Sequence, residues 1–420
     1  MKAIILAAGR GTRMRSNTQK VMHPILGKPL LQYVTQACQE AGIADITLVV
    51  PTDSDDIRST LPGLNYVTQP QQLGTGHATQ GAALQVSYDD DVLILAGDMP
   101  LVTPDFVREL ISFYKANGET CVVAGDHMPS DTNTKWANAS IYMFKGNLLI
   151  HGLTKLTNNS QGEYCLTQVP NILHEAGHMI YAYKSKLDAS TFTDINTQAQ
   201  LAEATKHMRE RINMRHMENG VRIHDPATTY IDDTVDIAQD VIIYPGCILE
   251  GACVIQEGAI IGPYTHMRDT VVGKATTIRQ SVLNGAKIGQ NTEVGPFAYL
   301  RPNAVIGNKC RIGNFVEVKN ANLDDGVKMA HLSYIGDADV GRDVNYGCGA
   351  ITANYDGKKK HRTTIADGAF IGCNANLVAP VEIGERALVT AGSTITEAVP
   401  AECMSFGRAR QVNKEGRAKR

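Results

Sequence analysis

Long apolar runs are missing from this sequence. The most hydrophobic N-terminal stretch, Ala3-Ile4-Ile5-Leu6-Ala7-Ala8, stops at Gly9-Arg10-Gly11-Thr12-Arg13. That is too short for the core of a secretory leader or for a membrane span, so no membrane association is expected. An excess of one charge is missing too, with 40 Lys and Arg against 43 Asp and Glu and a net charge of −3. A pervasive positive field of the kind nucleic acid requires is therefore excluded, and the expected partners are small anionic ligands held at local sites. Cysteine pairs are also lacking: the nine cysteines are odd in number and none forms a Cys-x-x-Cys motif. This argues against a disulfide framework and against structural zinc, and it fits a reducing cytoplasm.

What is present divides in two, as expected of 420 residues, a length beyond one ordinary core. Up to Asn196, short apolar runs alternate with helix-like segments, the pattern of a doubly wound α/β domain with a parallel sheet. Strands are expected at Ala3–Leu6, Ile46–Val50, Val92–Leu95 and Thr120–Val123, with helices at Leu30–Ala41 and Pro104–Asn117. From 197 to 219, Leu201, Met208 and Ile212 recur at near-helical spacing, Asn196 or Thr197 can cap the start and Gly220 can end it. A linker helix is expected there, followed by a second domain over 220–420.

Beyond Gly220 the period becomes six. Val282, Ile288, Val294, Leu300, Ile306, Ile312 and Val318 fall on one register, with Ile242, Ile248, Val254 and Ile260 before it and Ile371, Leu377, Ile383, Val389 and Ile395 after it. Such hexads build a parallel β-helix in which each aliphatic side chain points into a narrow prism and small neighbours allow tight corners. A coil cannot bury its inner stripe alone, so interruptions of the period are informative. One lies between Asn320 and Ile335 and contains His331; the other lies between Ala353 and Ile365 and carries Asn354-Tyr355-Asp356-Gly357-Lys358-Lys359-Lys360-His361. Both are expected to leave the prism as loops. On the residues alone, His331 is either a hydrogen-bonded surface histidine or a proton acceptor, and the lysine run either a solvated tip or an anion site.

The N-terminal half offers a phosphate-binding pattern. The strand Ala3–Leu6 runs into Ala8, Gly9 and Gly11, with Arg13 and Lys20 following. Glycines at a strand exit let backbone N–H groups approach phosphates, although a lone Gly-x-Gly is more often just a turn. Asp98 ends the run Leu95-Ala96-Gly97-Asp98, where it is either a metal ligand or a cap for the next turn.

Taken together, the strings Gly313-Asn314-Phe315-Val316-Glu317-Val318-Lys319, His331 to Asp337, and Thr352-Ala353-Asn354-Tyr355-Asp356-Gly357 resemble the bacterial bifunctional N-acetylglucosamine-1-phosphate uridyltransferase/glucosamine-1-phosphate N-acetyltransferase family. The resemblance covers almost the whole chain. It implies a shortened, Rossmann-like nucleotidyltransferase domain, a linker helix and a left-handed parallel β-helix of hexapeptide repeats. It further implies that Arg301, Lys319, Tyr334, Asn345 and Lys360 grip glucosamine-1-phosphate while His331 acts as general base. Asn354, Tyr355, Cys373, Ala391 and Arg408 fall where the family contacts acetyl-CoA, with Cys373 standing where Ser is usual. Leu6, Ala8, Gly9, Arg13, Lys20, Gln69, Gln72, Gly74, Thr75, Asn138 and Asn196 fall where it binds UTP and the sugar nucleotide, and Asp98 with Asn196 where it holds Mg²⁺. A cytoplasmic homotrimer is implied as well.

The family pattern breaks after Val123. A Tyr-Gly-Arg turn, a Val-Glu motif and at least one strand are missing from Ala124–Ala137, and Gln168 replaces an expected Asp. Two readings follow: a bifunctional enzyme of UDP-N-acetylglucosamine synthesis, or an acetyltransferase whose N-terminal domain only binds nucleotide or serves as scaffold. A third, in which the β-helix is only a trimerisation stalk, conflicts with the intact Asn354 and Lys360 segment.

Overall fold

The structure is a computed structural model that describes residues 1–118, 120–125, 141–415 and 417. It contains two compact units, Met1–Met208 and Arg209–Arg420.

In the first unit the strands lie in the order Asn65–Thr68, Asp45–Val50, Lys2–Leu6, Asp91–Ala96, Ile141–Lys145, Cys121–Gly125, Ile180–Lys184. The first four run parallel, and Cys121–Gly125 is parallel to Ile180–Lys184. Ile141–Lys145 runs antiparallel to both of its neighbours, so the sheet is mixed rather than purely parallel. The expectation of a parallel sheet missed this because Ile141-Tyr142-Met143-Phe144 is a continuous apolar run whose direction no periodicity reveals. Both faces are covered: Ile5, Leu48, Leu93 and Leu95 enter one core, while Ile4, Val49, Val92 and Ile94 enter the other. The four expected strands and both expected helices are present within two residues of their bounds.

From Lys2–Leu6 the chain first builds the two strands on one side, then crosses to Asp91–Ala96 on the other. The switch point of this α/β sheet therefore lies at the carboxyl ends of Lys2–Leu6 and Asp91–Ala96, where ligands of such sheets bind. Gly9 and Asp98 follow those two ends.

Helix Gln198–Glu218 opens with a reciprocal cap. The Gln200 N–H donates to Thr197 Oγ1 at 3.2 Å, while Gln200 Oε1 accepts the Asn196 N–H at 2.8 Å. Gly220, at φ 89°, ends it.

The second unit is a parallel β-helix. A regular coil returns to the same face after 16 to 18 residues, as in Thr277↔Glu293 and Ile242↔Ile260, while Arg222↔Ile242 takes 20 and Asn345↔Phe370 takes 25, and the ladders run from Arg222 to Ser405. Ile288, Val294, Leu300, Ile306, Ile312 and Val318 point inward as expected, as do Ile371, Leu377, Ile383, Val389 and Ile395. The earlier register is off by one. Ile243, Leu249, Ile255 and Ile261 fill the prism, while Ile248 and Val254 are exposed; likewise Leu283 is buried and Val282 is not. Each error falls on a tandem apolar pair, where either member satisfies a six-residue count but only one can face inward in a strand of period two.

The two interruptions differ in kind. The inward series steps from Val318 to Leu323, a shortened corner rather than an insertion, and His331 lies inside the nine-residue strand Lys328–Gly336. The expectation of a loop at His331 is therefore corrected. The second interruption does leave the prism. Strand Ile351–Ala353 ends, Asn354–Arg362 follows, and Thr363–Ile365 resumes the ladder, with Asp339 opposite Thr364.

Candidate active sites in the two units

In the first unit, the switch point opens into a cleft of about 660 Å³ lined by Leu6, Ala8, Gly9, Arg13, Lys20, Gln69, Gln72, Gly74, Thr75, Asp98 and Asn196. All of the nucleotide-site residues expected from the sequence are in it except Asn138, which lies outside the described residues. At its polar centre Lys20 Nζ pairs with the buried Asp98 carboxylate and donates to Asn196 Oδ1 at 2.7 Å. Arg13 Nη2 donates to the same oxygen at 2.9 Å. Gly11, at φ 63°, is what lets Lys20 approach, because a Cβ there would stand 2.6 Å from Lys20 Cβ. Asp98 and Asn196 are joined through the backbone as well, the Ile195 N–H donating to Asp98 O at 3.1 Å.

Across the cleft, helix Thr75–Ala83 presents its N-terminal end, the positive end of its dipole, with Gly74 and Thr75 in the lining, while the Gly76 N–H is already donated to Tyr164 O at 2.7 Å. Gln69 Nε2 donates to Gly74 O at 3.2 Å, and Gln72 Nε2 to Ala8 O at 2.6 Å, which ties this loop to the glycine loop. Gly74 has φ 98°, and a Cβ on it would stand 2.5 Å from Tyr164 O. Gly74→Ala should therefore cost about 1–3 kcal/mol of backbone strain, beyond the clash itself. It is expected to lower the unfolding temperature and raise the KM for nucleotide together; a variant with unchanged melting and unchanged KM would show that the turn relaxes freely.

Two features of the cleft and its border, Gln200 and Tyr142, went unread in the sequence. Gln200 holds Asn196 through its backbone, and the Thr197-x-x-Gln200 spacing was the available signal. Tyr142 lines the cleft from the antiparallel strand, its hydroxyl pushed far up by burial and then by the neighbouring Cys121, Asp194 and Cys165. Gln168, where an Asp is expected, donates through Nε2 to Thr157 O at 3.0 Å and accepts the Thr157 N–H at 3.5 Å. It closes the base of the Asn158–Thr167 segment rather than reaching the cleft.

In the second unit, His331 and Asn314 are opposite each other on successive coils, with His331 Nδ1 and Asn314 Oδ1 3.0 Å apart. With the carboxamide oxygen accepting, Nδ1 carries the proton and Nε2 presents a lone pair to solvent. A cationic group lies around the next corner. Arg301, Lys319 and Gly336 occupy successive rungs. The Lys360 ammonium stands against Lys319 and, with Arg301 more distantly, holds the Lys319 pKa below the usual lysine range. Arg301 Nη1 pairs with Glu317 Oε1 at 2.7 Å. Such an arrangement favours a bound dianion, since each unit of negative charge relieves repulsion already present.

Gly336 makes the room. A Cβ on it would meet the Tyr334 hydroxyl at 2.2 Å and Asn354 Nδ2 at 2.8 Å. Asn354 is buried and donates to Asp337, which also accepts from Asn320 at 2.5 Å. Asn345 lies opposite Lys328 and Phe370, on the preceding face, and no hydrogen bond joins it to the cationic group. Cys373 and Ala391 are stacked on neighbouring coils, the Gly392 N–H donating to Cys373 O at 2.8 Å; Arg408 is exposed beyond the last strand, Met404–Ser405.

The protruding segment is latched. Asp356 Oδ1 accepts the Lys358 and Lys359 N–H groups, both at 2.7 Å, and its Oδ2 lies 2.7 Å from His361 Nε2. Those contacts, led by the Lys359 N–H, hold the Asp356 carboxyl well below the usual carboxylate range, so the latch stays charged until the pH falls through that lowered value. Tyr355 and Lys360 face each other across the resulting turn. Asp356→Ala should misplace Lys360, raising the KM for an anionic sugar substrate by a factor between a few and about 10² with a smaller change in kcat. Steady-state kinetics on that substrate check it, and a kcat loss at constant KM would contradict the positioning role.

Comparison with known proteins agrees with both halves. Residues 3–188 match the MobA-like NTP transferase domain, and 285–320 match the bacterial transferase hexapeptide family. The Bifunctional protein GlmU of Geobacillus sp. (strain WCH70) is 45% identical over 443 residues, covering 98% of this chain and 96% of its own. The chain belongs to the bifunctional GlmU family. The GlmU of Geobacillus thermodenitrificans (strain NG80-2) is 42% identical with the same coverage, and that of Shouchella clausii 39% identical over 100% of this chain and 98% of its own. A solved nucleotidyl transferase from Methanothermobacter thermautotroptrophicus matches 50% of this chain and 98% of its own at 19% identity, with a TM-score of 0.43. Because the Geobacillus alignments run over 443 positions and this chain has 420 residues, those GlmU relatives carry residues that this member lacks.

Proposed function

We propose that this chain makes UDP-N-acetylglucosamine in two steps, acetylating glucosamine-1-phosphate from acetyl-CoA and then coupling N-acetylglucosamine-1-phosphate to UTP. The carrying observation is that both polar constellations, Lys20–Asp98–Asn196 and His331–Asn314 with Lys319–Lys360, are assembled in one chain. In the first step Arg301, Lys319 and Lys360 take the phosphate. The substrate amine attacks the thioester carbonyl, His331 Nε2 accepts the amine proton, and coenzyme A leaves as its thiol. In the second, the N–H groups at Gly9 and at the start of helix Thr75–Ala83, with Arg13 and Lys20, hold the triphosphate. A phosphate oxygen of the sugar attacks the α-phosphorus and pyrophosphate leaves.

The donor set at Asp98 and Asn196 fits Mg²⁺. A carboxylate and a carboxamide oxygen both face the point where the Lys20 ammonium stands in for a cation. Mg²⁺ is ordinarily held by one or two such oxygens, with phosphates and water completing the shell. When bound, it neutralises phosphate charge in the transition state. The family reading also carries a homotrimer and a cytoplasmic location, and among the described residues no helix is long and apolar enough to cross a membrane.

A second reading, an acetyltransferase with a nucleotide-binding scaffold, is favoured by the residues this chain lacks relative to its relatives. Purified full-length protein decides between them. Release of both coenzyme A from acetyl-CoA with glucosamine-1-phosphate and pyrophosphate from UTP with N-acetylglucosamine-1-phosphate supports the bifunctional reading. Coenzyme A release without pyrophosphate supports the scaffold.

A further inference from the structure

Three cysteines are exposed: Cys348, Cys373 and Cys403. Burial pushes others out of reach of chemistry, Cys38 up to about 12 and Cys310 up to about 11, since the thiolate is the nucleophile. Of the three exposed thiols, two are neighbours. The ladder Asn345↔Phe370, Tyr346↔Ile371 continues with the Gly347 N–H donating to Ile371 O and the Asn374 N–H to Cys348 O, both at 2.8 Å. Cys348 is therefore opposite Cys373 on successive coils. Cys403 by contrast is opposite Ala387, one residue before the pair Leu388↔Met404.

Parallel neighbours stand about 4.8 Å apart and project side chains to the same side. That spacing lies inside the Cα range of about 4.4–6.8 Å that a disulfide bridges. The Gly349 N–H donates to Leu332 O at 2.7 Å, so the rung of Cys348 directly follows that of His331 at the same corner.

We propose that Cys348 and Cys373 form a dithiol modification site, oxidised by low-molecular-weight disulfides to a cross-coil disulfide that obstructs the face beside His331. One protein thiolate attacks a sulfur of the small disulfide, whose S–S bond breaks and releases a thiolate. The second protein thiolate then attacks the protein sulfur of the mixed disulfide and expels the other small thiolate. Two protein thiols are oxidised, one small disulfide is reduced to two thiols, and the two thiol protons pass to the leaving thiolates. Obstruction rests on the acetyltransferase reading; formation of the bond does not.

The test treats full-length protein with oxidised glutathione at pH 8, blocks remaining thiols with iodoacetamide and digests with trypsin. The expected product joins peptide Asp343–Lys358 to peptide Thr363–Arg386, neither of which holds another cysteine, at a mass two hydrogens below their sum. Acetyl transfer should be lost and should return with dithiothreitol, while pyrophosphate release persists. Cys348→Ser, or Cys348→Ala if the first variant folds poorly, should keep acetyl transfer through the same treatment. Glutathione adducts or free thiols at both positions without the linked peptide would overturn the site. The linked peptide with full acetyl transfer would overturn the obstruction, and protein with no acetyl transfer before treatment would instead refute the acetyltransferase reading and leave the peptide result to stand alone.

Discussion

Replacing His331 with Ala is expected to lower acetyl transfer by about 10²–10⁴-fold, the usual contribution of a positioned general base, while leaving pyrophosphate release unchanged. The expectation rests on geometry. His331 is fixed on a strand, not on a loop, and its Nδ1 is held by Asn314 on the neighbouring coil. The residue is exposed, so with Nδ1 engaged Nε2 is the ring nitrogen left for a substrate proton. Asn314→Leu should act through the same ring: its kcat falls by about 10-fold, near 1.4 kcal/mol of barrier, while the KM for either substrate holds. If His331→Ala retained acetyl transfer while Lys360→Ala lost it, the cationic group would be the site and another group would carry the proton. If both variants kept activity, the β-helix would be a scaffold and the reading of this half would fail.

How far this was legible before the structure depended on what kind of order each residue obeys. The hexad register from Ile288 to Val318 could be read because hexads such as Lys287-Ile288-Gly289, Glu293-Val294-Gly295 and Arg311-Ile312-Gly313 set one aliphatic residue between a charged residue and Gly. It failed at Ile242-Ile243 and Val254-Ile255, where two aliphatic residues compete and only strand pleat decides between them. His331 was found, but its setting was misjudged: the shortened corner at Val318–Leu323 displaces the count as an inserted loop would. The latch formed by Asp356 and His361 could not be read at all, since it depends on a turn that brings residues five apart to 2.7 Å. In the first unit Asp98 was visible at the end of a strand and Lys20 as a charge following the glycine loop. Their convergence on Asn196 is tertiary, and it requires Gly11 to admit the Lys20 side chain.

That convergence sets the second large effect. Asp98→Ala is expected to reduce pyrophosphate release by at least about 10²-fold, the scale of losing one preorganised electrostatic contact to a transition state, with acetyl transfer untouched. The substitution also leaves the Lys20 ammonium without its buried anionic partner, so the amount of Mg²⁺ needed for half-maximal rate should rise with the loss of kcat. Lys20→Ala should differ in direction. Removing the ammonium frees Asp98 to face a metal and leaves Asn196 Oδ1 with Arg13 as its remaining donor, so the Mg²⁺ requirement should fall or hold, while the KM for UTP rises because a phosphate-neutralising charge is gone. The pair of Mg²⁺ and UTP titrations therefore separates the roles within one cluster. Should both variants shift only the KM for UTP, Asp98 would be ordering Lys20 rather than holding metal. Should neither change a measurable rate, the cleft would bind nucleotide without turning it over, and the residues this chain lacks relative to its Geobacillus relatives would be those that complete the sugar site.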